Sequence, residues 1–189
     1  SYLDMKEQTG LVRHLTELTH QMEQIRHSVI LCVPGIGRYQ GRLALNIQYV
    51  PVIRWRPLQA LSYHCLSFFF LWRLAARQKP DVLYCNLINF SLIPWLVAKL
   101  KGICFVSEVS GLAGPELKAN RRWPAAGSAL AEKIQYWNIR HSRGTVTISE
   151  GLEKQFLRFG IPIFRLEMAA DIDQFLPRDK ALCRRQLKL

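Results

Sequence analysis

Short apolar segments alternate along the chain with longer segments in which apolar residues recur at helical spacing. Leu11, Leu15 and Leu18 show the helical spacing, whereas every residue from Thr145 to Ile148 is β-branched, as strands prefer. Strands are predicted at residues 28–33, 45–53, 81–86, 103–109, 145–148 and 163–166. Because helices between strands form right-handed crossovers, the pattern predicts an α/β fold with a doubly wound, mostly parallel sheet, the Rossmann-like architecture.

The ends of one helix carry clear capping signals. Ser149 stands where an N-cap is preferred, and Glu150 with Glu153 would fall in the first turn. Gly160 would end that helix. The stretch 116–123 is basic and is predicted to be irregular. Helices are predicted at residues 10–25, 56–79, 91–101, 126–141 and 149–159, with a further basic helix after residue 177.

The predicted helix at residues 56–79 is apolar on nearly every side, so it needs more than one packing partner. The surrounding charges are segregated, because no acidic residue occurs between Glu23 and Asp81 while basic residues are frequent there. Two interpretations stay open. The helix packs on the sheet with its arginines in water, or it lies peripherally on an anionic membrane surface.

Composition and charge narrow the class of protein. The 189 residues, 49% of them hydrophobic, suffice for one domain with a good core. The formal charge of +12 favours an anionic partner such as a nucleotide phosphate, a nucleic acid or a membrane surface. No RNA-binding motif and no recognition-helix pattern is found, so nucleic acid is not expected. No segment is long and apolar enough for a confident transmembrane helix.

The five cysteines are odd in number and lack CxxC spacing, which indicates reduced thiols and a cytoplasmic location. Cys32, Cys85 and Cys104 lie in apolar, strand-like runs and are predicted to be core residues. No metal site is predicted.

Polar residues follow several predicted strands at their carboxyl ends. Asn86, Ser110 and Ser149 each stand at such an end, and Gly10 opens the first helix. Parallel strands bring their carboxyl ends to one edge of the sheet, where such folds bind ligands, and a helix start favours a phosphate. The four positions are therefore predicted to meet in one cleft. Glu108, inside its strand, is either a cleft residue or a buried carboxylate paired with an arginine.

Two groups of residues resemble a known family. Residues of the first helix match a Gly-x-x-Arg-His-x-x-x-Leu pattern, with Gly10, Arg13, His14 and Leu18 at the specified positions. The chain from Ser149 to Pro177 matches a Ser-Glu turn, a helix, Gly-x-Pro, a strand and x-x-x-Asp-x-x-x-Phe-x-Pro. Both resemble the N-terminal, acceptor-side domain of retaining GT-B glycosyltransferases of family four.

The chain departs from this family at three places. The usual Asn-Gly-Val-Asp is replaced by the residues from Met168 to Asp171. Tyr84 and Asn86 replace two histidines, and neither residue is a ready proton carrier at neutral pH. Ser110 stands where the family has a histidine that contacts the transferred sugar.

The resemblance implies transfer of a sugar, with retention, from a nucleoside-diphosphate-sugar to a hydroxyl of a glycan or lipid-linked acceptor. That activity belongs to polysaccharide biosynthesis in the cytoplasm, and neither a cofactor nor a metal is expected. The implied roles are a catalytic contact for Ser110, donor phosphate binding for Gly10 and Arg13, and acceptor or sugar binding for Asn86, Gly111, Ser149 and Glu150.

The resemblance also implies the domain organisation. Residues 1–177 would form the Rossmann-like N-terminal domain, with a further first strand ahead of Ser1. Residues 178–189 would begin the connection to a C-terminal domain that binds the nucleotide sugar. The chain alone is then expected to be inactive. Two alternatives stay open: a non-catalytic basic α/β module that binds an anionic partner, and a degenerate relative kept as a scaffold.

Overall fold

The computed structural model describes residues 5–6, 9–53, 55–87, 91–119, 125–166 and 179–186, with side chains described from residue 62 onward in the helix that begins at Arg56. The strands are β1 (Leu31–Pro34), β2 (Ile47–Val50), β3 (Val82–Asn86), β4 (Cys104–Val109), β5 (Gly144–Thr147) and β6 (Ile163–Arg165). The helices are α1 (Gly10–Gln24), α2 (Arg56–Gln78), α3 (Ile93–Lys101), α4 (Ala113–Ala119), α5 (Ala125–Arg140), α6 (Glu150–Phe156) and α7 (Lys180–Gln186). Each strand predicted from the sequence is present.

The strands form two parallel sheets, one of β1 and β2 and one in the order β3-β4-β5-β6. Asn86 lies opposite Glu108, and Val109 lies opposite Thr147. Strands β3, β4 and β5 therefore end at the same edge, and the predicted parallel α/β fold is confirmed.

The two faces of the four-stranded sheet differ in polarity, because successive side chains of a strand point to opposite faces. One face supplies Leu83, Cys85, Phe105 and Val109 to a core shared with residues of α3, α5 and α6, namely Ala98, Ile139 and Phe156. The opposite face near the carboxyl edge carries Tyr84, Asn86, Glu108 and Ser110. Helix α1 approaches this polar face.

Capping side chains and glycines set the helix ends. Thr9 caps α1, since its hydroxyl accepts a hydrogen bond from the Val12 amide at 3.4 Å, and α1 begins at Gly10 as predicted. Ser149 caps α6 in the same way through the Leu152 amide. A single 3-10 turn follows α6, and Gly160, with φ of 66°, ends it.

The prediction of an irregular stretch at 116–123 is wrong for its first part, because α4 covers Ala113–Ala119. Gln135 of α5, only 3% exposed, accepts a hydrogen bond from the Ala113 amide and donates one to the Gly111 carbonyl. Contacts with α5 therefore stabilise a helix that the local sequence did not predict. Residues 120–124 and the motif from Met168 to Pro177 lie outside the described residues.

Among the described helices, none has both the length and the apolar character that crossing a bilayer requires.

Candidate functional site

The carboxyl edge of β3 and β4 holds a cluster of polar side chains on one face of the sheet. Asn86 and Glu108 are direct partners in the strand pairing, so their side chains share that face. The Nδ2 atom of Asn86 donates a hydrogen bond to Ser110 Oγ at 3.5 Å. The predicted neighbourhood of Asn86 and Ser110 is thus observed.

Glu108 is the centre of this cluster and is 1% exposed. The Tyr84 hydroxyl donates a hydrogen bond to Oε2 at 2.8 Å, and His14 Nε2 lies 2.6 Å from Oε1. Both carboxylate oxygens are therefore paired, and the arginine partner considered from the sequence is wrong. The His14 contact also joins α1 to β4.

The ionisation of the cluster follows from these contacts. Burial disfavours the charged form of Glu108, but the hydrogen bonds from His14 and Tyr84 outweigh it and lower its pKa. The same hydrogen bond to Glu108 raises the pKa of His14 above its usual value, although burial opposes this. Burial and the nearby carboxylate raise the pKa of Tyr84, which stays a neutral hydrogen-bond donor. The cluster therefore favours a Glu108 carboxylate facing a protonated His14.

The turn after β4 is held in a defined shape. Gln135 binds the backbone on both sides of Leu112, as described above, and fixes the turn that follows Ser110. A Cβ atom at Gly111 would overlap the carboxylate of Glu116. A side chain at position 111 would therefore displace the exposed carboxylate of Glu116 from this turn.

The predicted phosphate-binding residues lie at the start of α1. Gly10 is the first residue of the helix, and a Cβ atom added there would meet no atom within 4 Å. Arg13 is exposed and directly precedes His14. Residues four apart share one face of a helix, so Gly10 lies one turn from His14 on the side that contacts Glu108. An anion at this helix start would lie near the polar cluster.

Ser149 and Glu150 follow β5 at the same edge of the sheet. The Ser149 hydroxyl is used as the cap of α6. Glu150, whose side chain is 60% exposed, contacts Lys154 Nζ at 2.6 Å and Arg165 at 3.8 Å. No described contact joins either residue to the Glu108 cluster. Their assignment to the acceptor stays a prediction.

Sequence reasoning missed three residues of this region. His14 is present in the helix-start pattern but received no role of its own, and Tyr84 was noted only as a substitute for a histidine. The signal that could have found them is Glu108, because a carboxylate inside an apolar strand requires a partner. Gln135 gave no signal.

The chain is similar to known glycosyltransferases. The family model described as Glycosyltransferase Family 4 matches residues 8–168. Among solved structures, the chain is similar to the crystal structure of UGT73P12 from Glycyrrhiza uralensis, complexed with glycyrrhetinic acid 3-O-monoglucuronide. The identity is 16%, the TM-score is 0.47, and the match covers 89% of this chain and 42% of that one. No significant match is found among curated proteins.

Proposed function

Because the chain belongs to glycosyltransferase family 4, we propose that it is the acceptor-side domain of a retaining glycosyltransferase. The donor is a nucleoside-diphosphate-sugar, and the acceptor is a hydroxyl of a glycan or lipid-linked molecule. The observation that carries the proposal is the polar cluster at the carboxyl edge of the parallel sheet, next to the start of α1.

The residues of this edge are suited to separate parts of the donor. The start of α1 offers the backbone amides of Gly10 and Leu11, since Thr9 accepts from those of Val12 and Arg13, and a Cβ at Gly10 would meet no atom within 4 Å. Arg13 adds an exposed positive charge, as a diphosphate requires. Asn86 and Ser110 offer amide and hydroxyl groups for sugar hydroxyls. The amides at the start of α1 and the charge of Arg13 stabilise the charge that develops on the leaving diphosphate. The proposed step uses no metal.

The remaining assignments concern the acceptor and the second domain. Gly111, Ser149 and Glu150 line the acceptor side, and residues 178–189 lead toward a C-terminal domain that supplies further nucleotide contacts. The chain alone then binds donor weakly and does not turn it over. Incubation with a panel of nucleotide sugars checks this, and product formed by the chain alone would refute the two-domain requirement.

Binding measurements test the proposal itself. Titration calorimetry with uridine and guanosine diphosphates and their sugar conjugates is expected to show binding that weakens in Arg13→Ala. The control is Arg184→Ala, which removes an exposed arginine of α7. Equal losses in both variants, or no binding to any nucleotide, argue against the site. Strong salt-dependent binding to mixed oligonucleotides instead would favour a non-catalytic basic module.

A second proposal concerns a peripheral contact with anionic membrane through α2. Phe69 is 68% exposed and Leu66 is 37% exposed on this helix, and the exposed Arg73 follows Phe69 by four residues. Helical spacing puts these side chains on one stripe, which combines apolar insertion with positive charge. No acidic residue lies between Glu23 and Asp81 to oppose binding.

Vesicle flotation tests this contact. At low salt the protein should float with vesicles that contain phosphatidylserine and stay behind with neutral vesicles. Phe69→Ser should weaken flotation, whereas Phe164→Ser, which removes a phenylalanine of similar exposure (61%) on β6, should not. Failure of the wild-type protein to float with anionic vesicles at low salt ends the proposal.

A further inference from the structure

The pair formed by His14 and Glu108 leaves one ring nitrogen of the histidine available to a ligand. Nε2 of the imidazole faces the buried carboxylate at 2.6 Å, while the side chain of His14 keeps 15% of its surface exposed. Within the described part of the chain, Nδ1 makes no hydrogen bond. An imidazolium held at one nitrogen presents its other N–H in a fixed direction.

The choice of partner for Glu108 matters because the carboxylate is 1% exposed. A buried carboxylate must be paired, and arginine would pair it permanently. Histidine is instead the side chain whose charge changes near neutral pH. Tyr84 occupies the second oxygen without adding charge, so the only cationic partner of Glu108 among the described residues is one that titrates.

We propose that the imidazolium of His14, oriented by Glu108, binds the diphosphate of the donor through its Nδ1–H group, an inference that rests on the proposed function. Gly10 lies one helical turn earlier on the same face of α1, where a phosphate would contact the backbone amides of Gly10 and Leu11. His14 thereby adds a charge-assisted hydrogen bond to the same diphosphate. In this role it is a catalytic residue, since the diphosphate is the leaving group.

The titratable groups around His14 define its pH response. Glu108 faces it from β4, and Tyr84 of β3 hydrogen-bonds to Glu108 on the same face of the sheet. The thiol of Cys85 lies on the opposite, apolar face, and burial with the nearby Glu108 charge raises its pKa. Tyr39 and Tyr49 pack against the apolar side of α1 together with β1, and Arg13 and Glu17 are its exposed charged neighbours on the helix. Because the hydrogen bond to Glu108 raises the pKa of His14 above its usual value of 6.5, the imidazolium persists to higher pH than that of an unpaired histidine, and it is lost as the pH rises through the raised pKa.

The experiment compares diphosphate binding by the wild-type protein, His14→Gln and a control, His20→Gln, which changes another histidine of α1. The probes are uridine diphosphate, guanosine diphosphate and inorganic pyrophosphate, titrated calorimetrically from pH 5.5 to 8.5. The phosphate of the probe also titrates, near pH 6, and this changes the measured affinity. The pH dependence of binding by His14→Gln shows how large that effect is without the histidine. Below the pKa of His14 the wild type should bind about tenfold more tightly than His14→Gln, and this ratio should approach one at high pH.

A second measurement uses the wild-type protein, so it tests the role of His14 even if His14→Gln does not fold. The ring protons of His14 are assigned from the spectrum of His14→Gln and titrated by NMR in the wild type, with and without uridine diphosphate. A bound anion next to the imidazolium should raise the His14 pKa further.

The outcomes separate the two proposals. Diphosphate binding with the same pH profile in wild type and His14→Gln, or an unchanged His14 titration in the complex, overturns the role of His14 and leaves the sugar-transfer site intact. Absence of diphosphate binding in the wild type at every pH overturns both. The role of His14 is supported if the ratio of wild-type to His14→Gln affinity falls as the pH rises. His20→Gln should bind the diphosphate as the wild type does at every pH.

Discussion

Asn86 lies directly opposite Glu108 in the pairing of β3 with β4, and its amide nitrogen reaches on to Ser110 Oγ at 3.5 Å. The amide oxygen of Asn86 is buried and accepts no hydrogen bond from the residues that the structure describes. A buried acceptor without a donor costs about 1 to 3 kcal/mol. A sugar hydroxyl at this edge could supply the missing donor.

Asn86→Ala is therefore expected to weaken binding of a nucleotide sugar more than binding of the matching nucleoside diphosphate. The loss of one hydrogen bond to a neutral group predicts roughly a fivefold selective effect. Calorimetry with uridine diphosphate and its glucose conjugate gives both affinities. Asn46→Ala, in the loop before β2, is the control. Equal weakening toward both ligands would show that Asn86 does not contact the sugar.

Gly10→Ala tests how closely a ligand approaches the start of α1. The added methyl group meets no atom within 4 Å, so the free protein should be as stable as the wild type or slightly more stable, by up to about 1 kcal/mol. A diphosphate on the backbone amides would meet the methyl group, and its affinity should fall. Thermal unfolding and calorimetry measure the two effects.

Gly151→Ala is the matched control for that substitution, because it adds a methyl group in the first turn of α6, where there is also no atom within 4 Å. Unchanged diphosphate binding in Gly10→Ala would mean that no ligand lies against this helix start.

His14→Gln should also change the pH dependence of stability. The raised pKa of His14 stabilises the fold fully below its usual value of 6.5, and this contribution is lost as the pH rises through the folded-state pKa. The lowered pKa of Glu108 stabilises the fold above its usual value of 4.5. This contribution is lost as the pH falls through the folded-state pKa of Glu108. The full contribution therefore lies between those two usual values.

Urea unfolding at pH 5.5 and pH 8.5 measures this contribution. The wild type should exceed His14→Gln in unfolding free energy by about 1.5 to 3 kcal/mol at pH 5.5, as expected for a hydrogen bond to a charged group, and by less at pH 8.5. A difference that is constant or grows with pH would contradict an ionised pair.

The sequence predicted the strands because β-branched runs such as Thr145 to Ile148 carry their own signal, and their order predicted parallel pairing. It also predicted that Asn86 and Ser110 lie at one edge, since each stands at the carboxyl end of a strand. It could not predict the partner of Glu108, because His14 is 94 residues away in the sequence and only the packing of α1 brings it close. A contact between two side chains far apart in the sequence does not alter the hydrophobic periodicity from which elements are predicted.

Helix α4 is the other feature that the sequence did not predict, and Gln135 provides its test. Gln135→Ala would leave the Ala113 amide and the Gly111 carbonyl without their side-chain partner. Since Gln135 is 3% exposed, the unfolding free energy should fall by about 1 to 3 kcal/mol, and amide exchange at Ala113 should accelerate. Gln155→Ala, which removes a hydrogen bond to Tyr136 at 3.3 Å on a less buried residue, should cost less and leave exchange at Ala113 unchanged. If both variants lose the same stability with no local change in exchange, Gln135 does not hold the turn after Ser110.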